Sequence, residues 1–92
     1  MSREDIQTLC NAALVSVKDV LPPALYQEAD AWINQYDEWG IAIEFLIDEI
    51  GELDLPLERE PFEALQVAMV AMGKGESDRV AWLRAYMVDR ME

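Results

Sequence analysis

Residues 37–54, DEWGIAIEFLIDEIGELD, constrain the whole chain because they form one helix pattern with two contrasting faces. At about 100° per residue, Trp39, Ala42, Ile43, Leu46, Ile47, Ile50 and Leu53 gather on one side. That arc is wide enough for a helix docked in a core. The opposite side collects Asp37, Glu38, Glu44, Asp48, Glu49 and Glu52, with two large apolar residues, Ile41 and Phe45, in its middle. A face that meets only water has no use for them. They are either anchors for a partner or core residues covered by another helix.

The flanking segments supply helices for this one to pack against. Ser2 to Val20 opens with a capping-box pattern, Ser2 with Asp5 three residues on. Ile6, Leu9, Cys10, Ala13, Leu14 and Val17 then recur at helical spacing. Pro22-Pro23 ends that helix, and Pro23 suits the first turn of the next. Leu25, Ala29, Trp32, Ile33 and Tyr36 make the second apolar stripe, and Asp37 or Glu38 is placed to cap the third helix. Gly40 is expected where helices two and three approach closely.

Pro56 closes the third helix, and a fourth spans about Glu58 to Met72, with Pro61 tolerated in its first turn. Phe62, Leu65, Met69 and Met72 are its core stripe, with Ala68 and Val70 beside it, and Gly73 is a C-cap candidate. Ser77 caps a fifth helix to about Arg90, carrying Val80, Leu83, Tyr86 and Met87 on one face and Trp82 at its edge. No hairpin dipeptide or sustained period-two alternation marks a strand. Residues 1–92 are therefore expected to form one all-α domain, a bundle of about five short helices.

Charge separates one part of this bundle from the rest. Glu28 to Glu63 holds twelve of the nineteen acids but only one base, Arg59, whereas the remaining residues hold seven acids and six bases. Nearly all of the net charge of −12 thus lies on helices two and three and the following loop. Such a one-sided field opposes folding by self-repulsion. It disfavours nucleic acid and anionic membranes as ligands, since both need clustered Lys and Arg. A basic protein partner is the complementary choice.

The chain is poor in reactive groups. It has no histidine, which removes imidazole catalysis and His-ligated metals. Cys10, the only cysteine, cannot form an intrachain disulfide and is expected as a small buried hydrophobe. No phosphate-binding glycine loop or calcium loop is present. Glu44 and Asp48, one turn apart on a polar face, fit a solvated pair far better than an acid–base pair, which needs a shifted pKa. The Asp-Ser-Leu context of an acyl carrier is missing. No catalytic residue, cofactor or metal is expected. With no basic leader before an apolar run and no stretch of ~18 apolar residues, the expected location is the cytoplasm.

From Ala31 to Leu57 the chain resembles the MafI family of bacterial immunity proteins, which includes those of contact-dependent inhibition systems. The pattern is a short helix, an acidic turn with glycine, an alanine-containing amphipathic helix with a D-x-(L/I) step, and an acidic loop into proline. It reads here NQYDEWGIAIEFLIDEIGELDLPL. A fourth helix ending in Met-Gly and a last helix carrying Trp82 follow in the same order, while Pro61 departs from the pattern. The resemblance implies a non-enzymatic, all-helical inhibitor that binds a cognate toxin's C-terminal domain, one to one. The toxin expected is basic and often a ribonuclease, including ones resembling the EndoU fold. The residues expected to meet it are Tyr36, Asp37, Glu38, Ile41, Glu44, Phe45, Asp48, Glu49 and Glu52. Two other readings of the charge stay open: an acidic mimic that inhibits another DNA-binding or nuclease protein, and a helical adaptor subunit whose acidic face is only solubilising.

Overall fold

A computed structural model describes residues 2–90, and five helices account for most of them. They are α1 (Arg3–Ser16), α2 (Pro23–Asn34), α3 (Trp39–Glu52), α4 (Arg59–Ala71) and α5 (Asp78–Arg90). No strand occurs among the described residues. The all-α bundle expected from the periodicity is the fold observed.

Local chemistry sets most of the helix ends. Ser2 Oγ accepts from the Asp5 N–H (3.2 Å), and Asp5 Oδ2 accepts from the Ser2 N–H (3.4 Å), completing the capping box. Pro23 stands first in α2, where no intrahelical donor is needed. α4 ends at Gly73, which adopts φ +76°; its N–H bonds Val70 O (3.0 Å) and the Lys74 N–H bonds Met69 O (2.8 Å). These bonds satisfy carbonyls that a helix end otherwise leaves open. α3 closes in the same way on a residue that is not glycine: Asp54 takes φ +50°, with Leu55 N–H on Ile50 O at 3.0 Å. Ser77 Oγ accepts from the Val80 N–H (3.4 Å) at the start of α5.

Several local expectations need correction. α1 stops at Ser16, short of the expected Val20, and the chain continues through tighter turns to Leu21, the residue that Pro22 keeps out of helical geometry. Neither Asp37 nor Glu38 caps α3 with its side chain. Asp37 instead adopts φ +53° and binds Arg3 at the start of α1, with Nη2 to Oδ2 at 2.8 Å. The Arg3 guanidinium also lies 5.3 Å from the centre of the Trp39 ring, which ties α1 to the α2–α3 corner. Leu53 and Val70, assigned to or beside the core, are exposed, Leu53 because it is the residue at which the helix ends.

The core is one cluster drawn from every helix, including Leu14, Ile33, Ile43, Leu46, Ile47, Ile50, Leu65, Met69 and Leu83. α3 alone packs against all four other helices. α1 pairs with α4 beneath it, while α2 and α5 flank it without touching each other. The outward ridge of α3 is therefore the floor of a surface walled by α2 on one side and α5 on the other.

This arrangement makes α3 the most sensitive point in the fold. Leu46→Ala empties a fully buried position, and the expected loss is about 2–5 kcal/mol. Urea unfolding should show a much lower midpoint with little change in slope, whereas Val15→Ala, on the exposed side of α1, should leave the midpoint nearly unchanged.

Candidate interaction surface

Five side chains anchor α3 in the core, Ala42, Ile43, Leu46, Ile47 and Ile50, and this fixes where the others point. Ile41, Asp48 and Glu52, at i, i+7 and i+11, lie along the exposed ridge. Ile41 is 49% exposed; Tyr36, expected in the apolar stripe of the second helix, falls in the bend after α2 and is 62% exposed. Phe45 is different. It is half-buried, edge-on to Trp32 of α2 with ring centres 4.9 Å apart. Of the two apolar residues in the acidic face, one is open to solvent and the other is packed on a neighbouring helix.

The acids of this face fall into two groups. Arg79 of α5 grips Asp48 with two parallel bonds, Nε to Oδ1 and Nη2 to Oδ2, both 3.0 Å. The same guanidinium reaches Glu44 Oε2 at 3.2 Å, and Lys74 Nζ lies 3.4 Å from Glu44 Oε1. This fork geometry favours arginine, and the hydrogen bond to Asp48 holds the Arg79 pKa above its ordinary value. Asp37 is taken by Arg3. Among the described residues no cation stands within ion-pair distance of Glu38, Glu49 or Glu52. Glu44, Asp48 and Asp37 thus brace the fold, while Glu38, Glu49 and Glu52 hold charge that no cation among the described residues pairs with.

Two of those three are also poorly placed for the helix. Glu49 and Glu52 sit in the last turn of α3, where the dipole is negative and favours cations. Partial burial pushes the Glu49 carboxyl above its ordinary value of 4.5, and the charges of Glu52, Asp48 and Glu28 push in the same direction. Glu28 belongs to α2, so the uncompensated acidity crosses from α3 onto its neighbour.

On the α5 side the ridge borders an open groove lined by Ile47, Asp48, Gly51, Glu52 and Trp82. Trp82 lies against α3 because Gly51 has no side chain: a Cβ there would stand 2.8 Å from Trp82 Cζ2 and 2.9 Å from Cη2. Tyr86 stacks on the indole, centres 4.8 Å apart and planes at 25°. The Tyr86 hydroxyl donates to Leu55 O (2.7 Å), and Asp54 Oδ1 lies 3.2 Å from it. Even so, Trp82 remains 39% exposed. Periodicity places Trp82 only at a helix edge, and nothing in the chain order links it to Gly51 or Glu52. Gly40 has a parallel role against a different neighbour. Its missing side chain makes room for Lys74, Nζ falling 2.9 Å from where a Cβ would be, and not for α2.

Conventional reactive chemistry is sparse. Cys10 is fully buried, and burial pushes its thiol up to about 11, so it stays protonated and unreactive at neutral pH. Among the described residues, no group of three or more Cys, Asp or Glu is arranged to hold a metal ion. No helix among them is long and apolar enough to cross a membrane.

Two outcomes test this description. Since folding raises the Glu49 pKa, the stability linked to it is present below the unfolded value and is lost as pH rises through the folded one. Glu49→Gln should therefore raise Tm at pH 7, and the gain should vanish below about pH 4. Gly51→Ala should displace the indole in the native chain. In a Trp82→Ala background the same change meets no ring and should stabilise α3 by about 1 kcal/mol, the ordinary Gly-to-Ala difference within a helix. Urea unfolding of the four combinations measures the coupling.

No family model, curated protein or solved structure matches this chain, so its functional interpretation rests on this surface.

Proposed function

We propose that this chain is an immunity protein that binds the C-terminal domain of a cognate bacterial toxin in the cytoplasm and neutralises it stoichiometrically, without catalysis. The observation that carries the proposal is the unbalanced charge at the C-terminal end of α3. Glu49 and Glu52 oppose the helix dipole, and the Glu49 carboxyl is held above its ordinary value, at one end of a ridge whose other end carries the exposed Ile41. A solubilising charge would serve equally well at a site where it opposed nothing. Apolar anchors ringed by polar groups are where binding energy concentrates.

The partner that complements this surface is basic. A ribonuclease domain is basic in its substrate groove because that groove holds phosphate, and an acidic face laid over it blocks RNA. The resemblance of residues 31–57 to the MafI-type immunity proteins favours the same class of partner. Tyr36, Glu38, Ile41, Glu49 and Glu52 are the residues best placed to meet the toxin. Glu44 and Asp48 contribute through the field they share with Lys74 and Arg79, Asp37 through its tie to Arg3, and Phe45 as a packed rim.

The test compares two charge reversals in the full chain, using the toxin domain encoded by the adjacent upstream gene. Glu49→Lys with Glu52→Lys, or Ile41→Ser alone, should weaken toxin binding by about tenfold or more. Glu58→Lys with Glu60→Lys, an equal change of net charge ahead of and within the first turn of α4, should have little effect. Binding should also weaken as salt is raised from low to moderate concentration. Equal effects of the two reversals, or failure of the upstream product to bind, would defeat the proposal.

The adaptor reading draws support from one observation: Asp37, Glu44 and Asp48 are already neutralised internally. It predicts partner binding that is indifferent to salt.

A further inference from the structure

We infer that the α3–α5 groove receives an arginine side chain of the basic partner, its guanidinium laid on the open part of Trp82 and ion-paired to Glu52. The inference rests on the proposed function for the kind of partner, and it names how one of the partner's cations is held.

The groove is a prepared feature. Gly51 lets the indole lie against the α3 backbone, Tyr86 backs it, and the Tyr86 hydroxyl is fixed on Leu55 O. Two contacts thus hold the indole and a third fixes the tyrosine behind it, yet Trp82 is still 39% exposed. An indole is the best of the aromatic faces for a cation. Glu52 borders the same groove, in the last helical turn, with no cation near it among the described residues. The other carboxylate of the groove, Asp48, is already gripped by Arg79 of α5. That grip leaves Glu52 as the carboxylate with unbalanced charge. It also shows that a guanidinium fits the acidic ridge of α3.

The charge complementarity is specific to a flat, weakly hydrated cation. A guanidinium stacks on an aromatic plane while directing its N–H groups sideways to a carboxylate, whereas an ammonium is compact and strongly hydrated. A quaternary ammonium is held by a cage of several aromatic rings, and this groove presents one.

The test uses the full chain and three small probes at constant ionic strength: acetyl-arginine methylamide, its citrulline analogue and tetramethylammonium. Chemical shifts of the backbone amides and of the Trp82 indole N–H are followed by NMR. The arginine probe should shift the Trp82 indole and the Gly51 and Glu52 amides saturably, and the citrulline and tetramethylammonium probes should leave them nearly unmoved. Glu52→Gln, and Trp82→Leu, which keeps an apolar cover over Gly51, should each weaken the arginine probe by about two- to fivefold. Shifts spread evenly to Glu28 and Glu38, equal response to tetramethylammonium, or full binding by Trp82→Leu would overturn the inference. Toxin affinity of the same two variants separates the levels. Loss through Glu49→Lys with Glu52→Lys but none through Trp82→Leu overturns the groove alone. No toxin binding at all overturns the proposed function, while the probe result still decides what the groove accepts.

Discussion

Burial of α3 on both of its sides and beneath is the interaction on which the other features depend. Ala42, Ile43, Leu46, Ile47 and Ile50 are each at most 1% exposed, and side chains from α1, α2, α4 and α5 complete that burial. Because the strip fixes the rotation of α3 about its own axis, it also fixes which residues face outward. α2 and α5 stand on either side without touching, so the ridge between them stays open. The candidate surface is therefore a by-product of how the core is filled, held rigidly by the helix that the core depends on most.

Electrostatics divides that ridge into a half that serves the fold and a half that does not. Arg79 and Lys74 bring α5 and the loop before it onto Glu44 and Asp48, and Arg3 brings α1 onto Asp37. These contacts are solvent-exposed and individually weak, yet they join elements distant in the chain and neutralise Asp37, Glu44 and Asp48. Towards its C-terminal end the compensation stops. Glu49 feels the charge of Glu28 on α2, and both Glu49 and Glu52 meet the negative end of their own helix dipole. A repulsive arrangement of this kind lowers stability, and a basic partner would relieve it. Binding would then gain from two sources, new attraction and the removal of repulsion already present.

Much of the architecture was legible because it is local. Ser2 with Asp5, Pro23 at the start of α2, Gly73 after α4 and Ser77 before α5 act within a few residues of themselves. The apolar periodicity was likewise sufficient to name most of the core. Local rules fail where the outcome depends on a distant residue. Asp37 looked like a cap until Arg3 claimed it. Gly40 looked like a contact with α2, but its neighbour is Lys74, thirty-four residues away. Leu53 has the angular position of a core residue, yet it is the C-cap of α3 and lies exposed where the helix ends.

The helical class, the approximate limits of the five helices, the shortage of catalytic groups and the concentration of acid on the second and third helices are all written in the order of the residues. These follow from spacing, capping chemistry and a count of charges, none of which needs the chain to be folded. Only the tertiary structure decided which acids are balanced and which of the two apolar residues in the acidic face is open. It also brought Trp82 of α5 over Gly51 and beside Glu52. The reason is physical: an ion pair or a stacked ring is set by distances between helices, and helix periodicity carries no information about the neighbour across the gap.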